Sequence, residues 1–205
     1  MKSEPLTIEE GKEIVGLARS TVDSFVESGK FTLRQWASDA LSENRGVFVT
    51  LDSLVEEQRS LRGCVGFPYP VKPLGQAVQE AAAAASSEDP RFPPVVRDEL
   101  ERVVIEASVL TPPRALESAP RMLLPQSVRV GVDGLIVARG LASGLLLPQV
   151  APEFGLNSAE FLAQACLKAG LPADAWLEPS TKVQAFQAEV FAEERPRGKV
   201  RRLTA

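Results

Sequence analysis

The chain has 205 residues, of which 44% are hydrophobic and 24% charged, a balance that suits one large globular domain or two small ones sharing an interface. Its net charge of −4 argues against nucleic acid as the main partner, because neutralising phosphates usually takes a basic face. Histidine is absent, which excludes Ser-His-Asp and Cys-His catalysis, and two separated cysteines, Cys64 and Cys166, give neither a disulfide framework nor enough soft ligands for structural zinc.

The opening "MKSEPLTIEEGKE" lacks the apolar core of a secretory signal, and no apolar run approaches the roughly 20 residues of a membrane helix. A cytoplasmic location is therefore expected, with no membrane partner. "TIEE" at Thr7–Glu10 is a capping box, and Ile14, Leu17, Ala18, Val22 and Phe25 recur at helical spacing up to Gly29. "TLRQ" at Thr32 repeats the capping pattern and predicts a second helix to Leu41. "GVFVTL" at 46–51 reads as a strand. The polar "DSLVEEQRS" reads as a loop, and "LRGCVGF" as a second strand that can pair antiparallel with the first.

"PYPVKP" breaks the chain before the alanine-rich "LGQAVQEAAAAASSE", which predicts a packed helix. "DPRFPP" predicts a rigid turn leading into a helix near Val95–Glu101, and "RVVIEASVL" at 102–110 predicts a strand. Three prolines in "TPPRALESAP" suggest a crossing between subdomains. Beyond it "VRVGV", "GLIVAR" and "GLLLPQV" read as short strands, "NSAEFLAQACLKAG" as a capped helix, and "LPADAWLEPS" as the crossing back. The alternation in "KVQAFQAEVFAEE" predicts one final strand, and "RPRGKVRRLTA" a solvated basic tail.

Strands and helices do not alternate strictly, so the fold class expected is α+β with mostly antiparallel sheets. Two subdomains follow from the proline clusters. The larger is 1–111 plus 179–205 and carries both termini; 112–178 forms a smaller insert.

In "SLRGCVGF" strand alternation would put Arg62, Cys64 and Gly66 on one face. A guanidinium beside the thiol would favour thiolate, and Gly63 and Gly66 would leave the sulfur uncovered. The competing reading is a small buried cysteine beside a structural arginine. Asp89 and Arg91 sit on the "DPRFPP" turn, where a turn salt bridge is the alternative role. Glu106, mid-strand among apolar residues, could accept Arg62 or serve as a base. Gln149 follows a proline at the end of "GLLLPQ", where it could line the same site or make a structural hydrogen bond. Cys166 falls on the apolar side of its helix and is expected in a core.

"LRGCVG", "DPRFPP", "IEASVL", "GLLLPQVA", "FLAQACLKAGLP" and "FQAEVF", in this order from about Gly46 to Glu193, resemble the AMMECR domain family. Its signature is Leu-Arg-Gly-Cys-Ile-Gly, from which Val65 departs conservatively; Leu156 stands where an aromatic residue is expected. The resemblance implies a larger subdomain with both termini, a smaller inserted one, and the signature facing the cleft between them. It implies no established reaction and no known cofactor. Prokaryotic relatives are often encoded beside a Memo-like protein and a radical SAM protein, which hints at a shared pathway.

Two functions are then open. One is a cysteine-dependent activity on a large substrate, such as a protein, with Cys64 as nucleophile or redox thiol, Arg62 as its partner and Glu106 or Asp89 handling protons. The other is a non-catalytic scaffold that binds a protein segment in the same place.

Overall fold

The computed structural model describes residues 5–203; Met1–Glu4 and the last two residues of the basic tail lie outside the described residues. Four α-helices are present among them: α1 (Ile8–Ser28), α2 (Leu74–Ser87), α3 (Val150–Glu153) and α4 (Ser158–Lys168). The strands are β1 (Gly46–Val55), β2 (Gln58–Phe67), β3 (Val103–Leu110), β4 (Arg114–Ala115), β5 (Gly134–Arg139), β6 (Ala142–Leu146), β7 (Lys182–Phe186), β8 (Ala188–Glu193) and β9 (Val200–Leu203). Two compact units result, the first running to Leu110 and resuming at Glu189, the second spanning Thr111–Ala188.

The first unit holds a five-stranded sheet in the order β2-β1-β3-β8-β9. β2, β1 and β3 pair antiparallel, as do β8 and β9. Val47, Val49 and Leu51 of β1 and Val103, Ile105, Ala107 and Val109 of β3 point to one face and join a core with α1 and α2. The capping box forms as expected, the Thr7 hydroxyl accepting from the Glu10 N–H and the Glu10 carboxylate from the Thr7 N–H. The alanines of α2 do more than favour helix. Ala77, Ala81, Ala82 and Ala85 are buried, and their small size lets the helix lie close on the sheet.

The second unit has a four-stranded sheet in the order β4-β7-β5-β6. α4 packs on it through Phe161, Leu162, Ala165 and Cys166, against Leu135, Val137, Val183 and Ala185. The α+β class and the antiparallel sheets are as the sequence implied.

Several local expectations are corrected. Residues 32–38 form no helix; only Asp39–Ser42 make a short 3-10 turn. Their backbone donors take side-chain acceptors instead, Arg34 N–H on Gln79 and Ala37 and Ser38 N–H on Glu13. The segment Val95–Glu101 shortens to one 3-10 turn, Arg97–Glu99. "VRVGV" is not a strand. Buried Asp133 accepts the Arg129 N–H and ties residues 129–133 into a turn, with Gly131 at φ +79°. The polar "loop" is mostly strand, turning only at Glu56 and Glu57, both at positive φ as a two-residue hairpin requires.

The predicted final strand is two strands. β7 pairs with β4 and β5 in the second unit, the chain leaves that sheet at Gln187, and β8 enters the other sheet. The return therefore falls at Ala188/Glu189 instead of near Pro179, and "LPADAWLEPS" belongs to the second unit. The basic tail is not simply solvated. β9 pairs with β8, and the Arg202 guanidinium lies 5.0 Å from the centre of the Phe191 ring.

Candidate site on the second face of the first sheet

The face of the first sheet turned away from α1 and α2 carries a polar row. Thr50 of β1 stands opposite Cys64 of β2 on one side and Glu106 of β3 on the other. Paired residues of adjacent strands share a face, so the three side chains line up across three strands. The Thr50 hydroxyl donates to Cys64 Sγ at 3.3 Å. Asp52, two residues along β1, lies on the same face. Burial raises the pKa of Asp52, and the Arg59 charge offsets part of that. Glu106 is likewise raised, first by burial and then by the Asp52 charge, with Arg59 and a Ser108 hydrogen bond acting the other way.

Arg62 does not belong to this row. The register slips between Leu51 and Asp52, which pair with Gly63 and Leu61, leaving Arg62 as the extra residue of a β-bulge. Its guanidinium turns to Glu99, donating from Nε at 2.6 Å and Nη2 at 2.9 Å, and also donates to the Pro93 and Pro94 carbonyls. The expected Arg62–Cys64 and Arg62–Glu106 partnerships are therefore corrected. Arg62 pins the proline turn to β2.

The glycines are corrected too. A Cβ on Gly63 would sit 2.2 Å from the Ala85 carbonyl oxygen of α2, and one on Gly66 would sit 2.2 Å from the Val47 oxygen. Both positions are filled by backbone, so neither glycine opens space over the sulfur.

Asp89 and Arg91 take the place at Cys64 that the sequence reading gave to Arg62. β2 is an edge strand, and its Cys64 N–H is accepted by Asp89 Oδ2 at 2.8 Å. Arg91 closes a fork on the same carboxylate, Nε to Oδ1 at 2.9 Å and Nη2 to Oδ2 at 2.6 Å. The Asp89 side chain is 3% exposed, that of Arg91 54%. Phe92 lies beneath two guanidiniums, Arg91 at 5.5 Å and Arg62 at 5.9 Å.

The Cys64 thiol is half-buried. Burial pushes its pKa up. The Thr50 hydroxyl and the Arg91 charge pull it down, and the Asp89 and Glu106 carboxylates push it up again. The net direction is upward, so at neutral pH the group is a thiol.

Asp89 shows the opposite behaviour. Hydrogen bonds from Arg91 lead, with the Cys64 and Arg91 N–H groups helping, and hold its pKa well below the usual carboxylate range against the cost of burial. A carboxylate with a depressed folded-state pKa stabilises the protein above its unfolded pKa of about 3.9 and loses that contribution as pH falls further. Asp89→Asn should therefore lower stability at neutral pH and flatten its decline below about pH 4, read from urea midpoints across pH. An unchanged acid limb would mean that Asp89 is not stabilised by these contacts.

Gln149 lies in the second unit, exposed at the start of α3, its carbonyl accepting the Glu153 N–H. Its side chain makes no hydrogen bond among the described residues, which corrects the structural role the sequence suggested. Cys166 is fully buried in the second core, as expected. Among the described residues no group of three or more histidine, cysteine, aspartate or glutamate side chains is arranged to hold a metal, and no helix is long and apolar enough to cross a membrane.

A family model, AMMECR1, matches residues 15–191. The chain belongs to the AMMECR1 family. A protein of Thermococcus gammatolerans is 50% identical over 194 residues, covering 94% of each chain. One from Methanopyrus kandleri is 50% identical over 200 residues, 97% of this chain and 95% of its own. The crystal structure of uncharacterized protein PH0010 from Pyrococcus horikoshii superposes with a TM-score of 0.89 at 46% identity, covering 96% of this chain and 98% of that one. The AMMECR1 match takes in the whole Cys64–Thr50–Glu106 row and the Asp89–Arg91 fork. None of these names states a reaction.

Thr50 and Asp52 were missed as site residues. Their signal was present: in "VFVTLD" the polar side chains fall at every second position after Phe48, marking the face opposite Val49 and Leu51.

Proposed function

We propose that this AMMECR1-family chain is a recognition module. Its ligand, a segment of another protein, lies on the Cys64–Thr50–Glu106 row, with Arg91 anchoring an acidic or carbonyl group. Cys64 acts as a neutral thiol that fills and hydrogen-bonds the floor. One observation carries this reading. Arg62, the residue that would have acidified the thiol, is engaged by Glu99, while burial outweighs the Thr50 hydroxyl and the Arg91 charge and raises the Cys64 pKa. A Memo-like or radical SAM protein is the partner proposed to present that segment.

The experiment is alkylation of Cys166→Ser protein by iodoacetamide as a function of pH, which isolates Cys64. The rate should inflect above the ordinary thiol value of about 8.5, and Arg62→Ala should leave the inflection unchanged. Arg91→Ala should raise it, because the nearest helping charge is lost. An inflection below 8 would refute the neutral-thiol floor.

A cysteine-dependent activity on a protein substrate is the second reading. It is favoured by one feature, the Thr50 hydroxyl and the Arg91 charge, both of which favour thiolate. The two readings part on Cys64→Ser, which keeps partner binding in a recognition module and abolishes turnover in an enzyme.

A further inference from the structure

A recess lies in the first unit, where α1 ends. It has a volume of about 400 Å³ and is lined by Ser24, Ser28, Lys30, Phe31, Leu33 and Arg34, with Thr32 between them. That volume falls in the range of small-molecule sites, about 300–1,000 Å³. We propose that it binds an organic phosphate ester, the phosphate held by Lys30 and Arg34 and the apolar part resting against Phe31 and Leu33.

The charge argument comes first. The recess is lined by two cations and no carboxylate, although the whole chain has net charge −4. Neither Lys30 nor Arg34 forms an ion pair among the described residues, so both charges face the recess without a carboxylate partner. Two cations lining one recess favour a dianion over a neutral ligand.

Donor count favours phosphate over a single carboxylate. An ammonium and a guanidinium fork, with the Ser24 and Thr32 hydroxyls, offer more donors than two carboxylate oxygens can accept. Ser28 is already engaged, its hydroxyl lying 2.7 Å from the Ser24 carbonyl and 2.9 Å from that of Lys30.

The recess is also built in advance. Fully buried Gln79 of α2 clamps Arg34 by both backbone groups, accepting its N–H at 2.6 Å and donating to its carbonyl at 3.0 Å. The Gly29 cap at φ +70° turns the chain out of α1, and Phe31 stands edge-on to Phe25 with centroids 6.3 Å apart. An apolar wall fixed in this way accounts for an ester with a flat or hydrophobic portion in place of bare phosphate.

The test is calorimetric titration of the full chain with adenosine 5′-monophosphate, and separately with adenosine and with inorganic phosphate. The nucleotide should bind saturably, inorganic phosphate more weakly, and adenosine not at all. Lys30→Ala and Arg34→Ala should each weaken the nucleotide about tenfold, as lost charge-assisted hydrogen bonds do. Both side chains are exposed, so the variants should fold, and Cys64→Ser should bind the nucleotide as the parent chain does. No saturable binding at millimolar nucleotide overturns the proposal. So does adenosine binding as tightly as its phosphate, or affinity unchanged in the double variant.

Discussion

Gly63→Ala should destabilise the protein by about 3 kcal/mol, at the upper end of what overpacking usually costs. The added methyl would meet the Ala85 carbonyl oxygen at 2.2 Å, and the Ala85 carbonyl carbon is within 3.3 Å. That neighbour is helix backbone, so it cannot swing aside as a flexible side chain would. Relief requires α2 to lift from β2, and the buried alanines that pack α2 on the sheet would lift with it. Gly16→Ala is the matched control. Gly16 is exposed in the middle of α1 with nothing within 4 Å of an added Cβ, so alanine there should add about 1 kcal/mol through helix propensity alone. Urea unfolding of both variants gives opposite signs of midpoint shift. Equal and small shifts would mean that α2 can retreat from Gly63 without cost.

That close approach explains why the site was only partly legible in the sequence. The capping boxes at Thr7 and Asn157, the apolar alternation of β1 and β3 and the packed side of α4 are local signals, and they led to the right elements. The bulge at Arg62 is not local. It depends on how β2 registers against β1, and one extra residue reverses which way Arg62 faces. Simple alternation therefore grouped Arg62 with Cys64, when the cation that bears on the thiol is Arg91, twenty-seven positions farther on in the chain. The strand switch at Gln187 was hidden for a similar reason. Polar and apolar residues alternate from Gln187 to Val190 across it, and the adjacent buried pair Ala185 and Phe186 just before it breaks the period of two. The helix forecast for residues 32–41 failed because Gln79 and Glu13, distant in sequence, supply acceptors that compete with a helical ladder.

Glu193→Ala should cost about 3–5 kcal/mol, the penalty for leaving a buried charge without its partner. Glu193 accepts a fork from Arg19, with Nε on one oxygen at 3.0 Å and Nη2 on the other at 2.5 Å, and the two side chains are only 4% and 10% exposed. The second oxygen also accepts the Ile105 N–H at 3.1 Å, and Arg19 donates on to the Val103 carbonyl. One carboxylate thus ties α1, β3 and β8 together. Removing it leaves the guanidinium only the Val103 carbonyl and the Asp23 carboxylate, which lies 3.7 Å from an Nη1 that makes no hydrogen bond. The double variant Arg19→Met/Glu193→Leu decides whether the loss reflects the pair's net worth or the stranded charge. If desolvation of the two ions offsets most of their attraction, the double variant should be more stable than either single, despite losing every one of these bonds. The Ile105 N–H would then be the group left unsatisfied, at about 1–3 kcal/mol. Urea midpoints for the two singles and the double complete the cycle. Strictly additive losses would show that Arg19 and Glu193 contribute independently and that the fork is not the fastening of α1 to the sheet.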